Sequence, residues 1–180
     1  MFGLGRSPHE DLAKRVDQLG IDSRELGARA HVDPERVANA LESDIDLEAI
    51  LSVREVKRIV SVLEMDFLRL FAIPCAFCKQ ADQRFAELRS LPRNELIARR
   101  RGDLGLMSQE ELLAKLGITD WFRKNSDRTW AQNRMRLWRA IEERPDSLDD
   151  LSLDQVRVLN RVLVLPVQLL LGVQCRECGS

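Results

Sequence analysis

The sequence predicts an all-α protein made of two tandem helical repeats joined through paired CxxC knuckles, and three observations carry that prediction. Apolar residues recur at helical spacing in successive segments, with no alternating strand pattern between them. The four cysteines form two tight pairs, "CAFC" at Cys75 and Cys78 and "CREC" at Cys175 and Cys178, one hundred residues apart. Residues 36–78 laid over 136–178 without a gap align both pairs and are identical at 12 of 43 positions, far above chance. The shared residues include Arg36/Arg136, Ala40/Ala140, Glu42/Glu142, Asp46/Asp146, Leu51/Leu151, Ser52/Ser152, Val56/Val156, Val62/Val162, Leu63/Leu163 and Leu70/Leu170.

The elements follow in chain order. "DSRE" (Asp22 to Glu25), "SVRE" (Ser52 to Glu55) and "SQEE" (Ser108 to Glu111) read as capping boxes, in which a short polar side chain and a Glu three residues on satisfy exposed amides at a helix start. Pro34 after Asp33 suits a first helical position. Leu51, Val56, Ile59, Val60 and Leu63 line one helix face, as do Val156, Leu159, Val162 and Leu163 in the second copy. "LGIDSRELGARAHV" (Leu19 to Val32) faces "LGLMSQEELLAKLGI" (Leu104 to Ile118) at a shorter offset. The second copy therefore carries about fourteen extra residues near "TDWFRKNSDRTWAQN" (Thr119 to Asn133). The expected organisation is a first repeat over 1–78, a connecting helix and linker over 79–93 that breaks near Pro92, and a second repeat over 94–180.

At 180 residues, 44% hydrophobic and 32% charged, the chain is long enough for one sizeable core or two small ones. The most apolar run, "VLNRVLVLPVQLLLGVQ", is interrupted by Asn160, Arg161, Pro166 and Gln168, so no membrane span is expected. The N-terminus has no apolar signal core, and paired cysteines without an export signal place the protein in a reducing cytoplasm. His9 and His31 stand near no nucleophile–base arrangement and there is no glycine-rich phosphate loop, which argues against an enzyme.

Two thiolates at CxxC spacing are half of a tetrahedral metal site. Each pair follows an apolar helix at the end of its repeat, so repeats packed about a pseudo-twofold axis would bring Cys75, Cys78, Cys175 and Cys178 around one structural ion. Zinc is the expected metal; four thiolates also suit an iron–sulfur cluster, and the cysteines left reduced and inert are a third reading. A thioredoxin-like redox pair expects a βαβ setting, which the pattern lacks.

Net charge is −1 overall but −4 for residues 1–88 and +3 for 89–180, with +5 between Arg93 and Arg139. If Arg128 to Glu142 is one helix, Arg128, Arg136 and Arg139 fall within an arc of roughly 80°, opposite Trp130, Leu137 and Ile141. Arg123 and Lys124 precede it, and Arg99, Arg100 and Arg101 in "ARRRG" add to a surface suited to duplex DNA phosphates. Trp121, Phe122, Trp130 and Trp138 read as core or partner-contact aromatics.

Two resemblances bear on function. Leu12 to Phe71, with "SRELGARAHV" and later "VLEMDFLRLF", resembles a Cro-type helix-turn-helix domain. The helix after its turn begins "DPERVANALESD", whose Asp33, Glu35, Glu42 and Asp44 would meet phosphates unfavourably, so a structural or partner-binding copy is expected there. From Ser108 to Ser180, Thr119, Asp120, Trp121 and Phe122, then Trp130, Gln132 and Asn133, an apolar helix and Cys175, Cys178 and Gly179 resemble the C subunit of the FlhDC flagellar master regulator. The spacer between "TDWF" and "TWAQN" is about four residues longer here, and that family's second cysteine pair has its counterpart only in Cys75 and Cys78. The resemblance implies DNA-binding transcriptional activation with bound zinc, in an oligomer or a complex with a second regulatory subunit or RNA polymerase. The competing expectations are an adaptor of helix-turn-helix-like modules that binds protein rather than DNA, and an iron–sulfur or redox sensor.

Overall fold

The computed structural model describes residues 7–42, 47–78, 87–106, 108–115 and 141–179. Its regular structure is helical: α1 (Pro8–Leu19), α2 (Ser23–Ala30), α3 (Pro34–Glu42), α4 (Leu47–Ile50), α5 (Val53–Val62), α6 (Phe67–Leu70), α7 (Arg93–Asp103), α8 (Gln109–Lys115), α9 (Leu153–Leu163) and α10 (Val167–Leu171). Short 3-10 turns occupy Glu87–Ser90 and Ser147–Asp150. The connecting helix expected from residue 79 is therefore a 3-10 turn where it is described, because Leu91 and Pro92 stop it before α7; residues 79–86 lie outside the described residues.

Capping chemistry sets the helix starts. Ser52 and Glu55 form the expected reciprocal box at α5, and Ser152 with Gln155 forms one at α9 that a search for Ser–x–x–Glu misses. At α8 the Ser108 amide donates to Glu111 and the Glu111 amide to Ser108 Oγ. Asp22 caps α2 by accepting from the Glu25 amide at 2.7 Å, without a return bond among the described contacts. The turn from α2 to α3 is tight: a Cβ at Gly27 would stand 2.8 Å from the Val32 carbonyl oxygen, so only glycine lets the two segments approach.

Buried positions follow the helical period. α5 buries Val53, Val56, Ile59 and Val60, and α9 buries Leu153, Val156, Leu159 and Leu163. These join Leu12, Leu26 and Val37 from one half and Leu96, Ile97, Leu148 and Leu170 from the other in a single continuous core. The halves thus share apolar packing as well as the knuckles, which the cysteine spacing alone does not convey.

Contacts across the seam join corresponding regions of the two halves. Ser52 and Ser152 form an antiparallel bridge, and the Val53 amide donates to the Leu151 carbonyl at 2.7 Å. Lys57 Nζ donates to the Leu171 carbonyl at 2.6 Å, while the Arg157 guanidinium donates to the Phe71 carbonyl at 3.4 Å and pairs with Glu48. Within each half, Arg15 Nε caps the Leu63 carbonyl at 3.0 Å and Arg100 Nε the Leu163 carbonyl at 2.8 Å. Each guanidinium satisfies an orphan carbonyl at the negative end of a helix dipole.

Asp149 is the most heavily engaged seam carboxylate, pairing with Lys57 at 2.8 Å and with Arg93 at 2.6 Å. Burial pushes its carboxyl up, but hydrogen bonds from Arg93 and Lys57 outweigh this and hold it below its ordinary value. Burial lowers Lys57, against the pull of Asp149. A carboxyl depressed in the folded state contributes stability above its unfolded value near ~3.9 and loses it as pH falls through the folded value.

Asp149→Asn is therefore expected to cost about 2 kcal/mol at neutral pH, and the difference from the parent should vanish well below pH ~3; urea denaturation at the two pH values measures it. A second expectation concerns Val164, a β-branched residue ending α9 at φ 52° with its side chain largely in solvent. Val164→Gly should stabilise the fold by about 1 kcal/mol, read as a higher urea midpoint at unchanged slope.

Candidate metal centre

A residue with left-handed backbone follows each of α6 and α10, Ala72 at φ 50° two residues past α6 and Gly172 at φ 61° directly after α10, and the chain turns back into a CxxC loop. The two loops face each other. Cys75 Sγ lies 3.6 Å from Cys178 Sγ and Cys78 Sγ 3.5 Å from Cys175 Sγ, and all four sulfurs lie within 4.8 Å of one another. Four thiolates held ~2.3 Å from one tetrahedral ion would be about 3.8 Å apart, so the cluster is close to the size and shape of a metal cage. It could hold a metal ion.

Each knuckle rests on the other half. The Ala76 amide donates to the side-chain oxygen of Gln168 at 3.1 Å, and Gln168 is buried in α10. Arg176, between the second pair of cysteines, donates to the Glu64 and Met65 carbonyls at 3.3 and 2.9 Å. Backbone amides shape the loops: Phe77 N–H points at Cys75 Sγ at 3.4 Å, and Gly179, at φ 68°, donates to the Cys175 carbonyl at 2.9 Å. Gln168 is a positioning residue that spacing did not flag; the one visible signal is a lone amide inside the apolar run of α10.

Burial grades the sulfurs. Cys175 is buried, Cys75 is half-buried, and Cys78 and Cys178 are exposed. The Cys78 thiol is pushed far above its ordinary value by hydrogen bonding with Cys175, then with Cys178 and Cys75. Thiols this crowded resist accumulating negative charge. A cation at their centre reverses that preference and drives off the protons, which is the donor chemistry of a soft-ligand metal site.

The basic residues singled out from the sequence fare differently. Arg101 is committed to structure: it pairs with Glu142 at 2.6 and 3.0 Å and donates to the Leu106 carbonyl at 2.7 Å. Arg100 caps the Leu163 carbonyl and sits 3.8 Å from Asp103. Arg99 alone of the three is exposed, 3.6 Å from Glu87. The run "RRR" looks uniform in sequence, but helical rotation sends two of its members inward. Arg123, Lys124, Arg128, Arg136 and Arg139, and the aromatics Trp121, Phe122, Trp130 and Trp138, lie outside the described residues. On α3, Asp33, Glu35, Asn39 and Glu42 are exposed, and Arg36 is held by Glu55 and the Ile50 carbonyl.

No family model, curated protein or solved structure matches the chain. No helix among the described residues is long and apolar enough to cross a membrane.

If the four cysteines hold one ion, both halves supply ligands, and Cys75→Ser is expected to lower the stability of the two halves together and to remove the effect of chelation. Thermal melts followed by circular dichroism, with and without a strong chelator, test this; variant melts that overlay the parent would contradict a shared ion.

Proposed function

We propose that this protein is a DNA-binding transcriptional regulator whose two helical halves are clamped by one structural zinc ion. The observation that carries the proposal is the convergence of four cysteine sulfurs, two from each half, within 4.8 Å. A closed all-thiolate site leaves no open position for substrate or water, so its role is mechanical. Binding energy on the order of 10 kcal/mol would be delivered at the point farthest along each half, where short helices alone hold the chain weakly. Cys75, Cys78, Cys175 and Cys178 would hold the ion, with Gln168 and Arg176 fixing the loops that present them.

DNA binding is supported by the α2–turn–α3 arrangement, by the resemblance of Ser108 to Ser180 to the C subunit of FlhDC, and by the basic residues of the second half. Arg99, Arg123, Lys124, Arg128, Arg136 and Arg139 are the first candidates for phosphate contact; Arg100 and Arg101 already donate within the fold and come after them. α3 would not enter a groove, since its exposed face carries Asp33, Glu35 and Glu42.

That acidic face favours a second reading, an adaptor whose helix-turn-helix-like first half binds protein. Titration of the pure protein with duplex DNA at several salt concentrations separates the two. If five of these side chains meet phosphates, the slope of log affinity against log salt should be about −4.5, and Arg136→Ala should reduce it by about one without changing the melt. Absence of binding, or affinity independent of salt, would leave the adaptor. Elemental analysis should give one zinc per chain; iron with visible absorption would replace zinc by a cluster.

A further inference from the structure

We propose that the cysteine cluster is a peroxide-responsive switch, in which each exposed sulfur of one half is oxidised and then captured by the more covered sulfur of the other. This rests on the zinc reading given above. The two shortest sulfur–sulfur separations both cross the seam: Cys78 to Cys175 at 3.5 Å and Cys178 to Cys75 at 3.6 Å. Each of these pairs joins an exposed cysteine to a covered one. Cys78 and Cys178 are open to solvent, whereas Cys175 is buried and Cys75 half-buried. That is the division of labour a peroxide-reactive thiol and its resolving partner require.

The chemistry balances with hydrogen peroxide as the oxidant. The Cys78 sulfur, which would be held as a thiolate while the ion is bound, attacks one peroxide oxygen, the O–O bond breaks, and Cys78 sulfenic acid and hydroxide form. The Cys175 thiolate then attacks the Cys78 sulfur, the S–O bond breaks, and a second hydroxide leaves as the Cys78–Cys175 disulfide forms. Two electrons pass from the two thiolates to the peroxide, and two solvent protons convert the hydroxides to water. A second peroxide takes Cys178 and Cys75 through the same steps. The sulfurs need to close by only about 1.5 Å to reach the bond length of ~2.05 Å. Once paired they are no longer anionic ligands, and the ion departs as a divalent cation.

The oxidised product would be joined across the seam by two covalent links, spanning 97 and 103 residues. The halves would stay tethered after the metal leaves, so a thiol reductant and fresh zinc should restore the starting state. A CxxC pair that oxidised within its own loop would instead leave no covalent link across the seam.

The experiment uses the full chain as purified. Its zinc content is measured first; a protein without zinc overturns the metal assignment and this proposal together, before any oxidant is added. Zinc-loaded protein is then treated with hydrogen peroxide while a chromogenic chelator reports released zinc, and disulfides are mapped by mass spectrometry of unreduced peptides. The expected result is loss of the bound ion and all four free thiols, with Cys78–Cys175 and Cys75–Cys178 links that a reductant reverses. With zinc present at the start, its retention under peroxide, links confined to Cys75–Cys78 and Cys175–Cys178, or conversion to sulfinic acid without disulfide would each overturn the switch, while the zinc measured beforehand would still support the structural site.

Discussion

Four cysteine sulfurs converge within 4.8 Å although half of them lie one hundred residues from the others, and the rest of the fold is arranged around that convergence. A ligand cage tolerates little error, since metal–sulfur distances are fixed to within a few tenths of an ångström. The rigidity comes from the helices behind each loop. α5 and α9 start on serine caps, meet at Ser52 and Ser152, and bury equivalent apolar faces, so the short helices α6 and α10 arrive at a defined place and angle. The seam and the cage are mechanically coupled: Lys57 and Arg157 grip the carbonyls of Leu171 and Phe71, immediately before the turns that lead to the cysteines.

Charge is used here mainly to finish the structure. Arg15, Arg36, Arg93, Arg100, Arg101, Arg157 and Arg176 all have carbonyl or carboxylate partners within the fold. The pattern has one cause. Short helices leave many unpaired carbonyls relative to their length, and a long guanidinium can cover such an end while its stem packs on apolar neighbours. A composition count treats these side chains as available cations. Several of them, among the described residues, are built into helix ends.

Much of this was legible in the sequence, for identifiable reasons. Helical period and capping residues are local signals, so the start of α2, the start and face of α5 and the face of α9 could be read directly. The cysteine cluster was legible because a cage needs four ligands and only two pairs exist. The seam's ion pairs were not, because Lys57 with Asp149 and Arg54 with Asp150 are related only through the tertiary arrangement. Gln168 was missed for a similar reason: its partner is a single backbone amide at Ala76, which leaves no mark on composition. Arg100 and Arg101 turn inward because each lies four residues beyond a buried apolar residue of α7, Leu96 and Ile97, whereas Arg99 falls off that face.

The seam also bears on why the two halves choose each other. Arg54 reaches Asp150 at 2.8 Å, but its counterpart at the hundred-residue offset is Asp154, and the counterpart of Asp150 is Ile50. A second half meeting another copy of itself in the same way would set Asp154 against Asp150, like against like. A first half doing so would leave Arg54 facing a hydrocarbon. Only the mixed pairing matches charge to charge, so divergence at this site favours the partner already tethered on the same chain over a stranger of identical sequence.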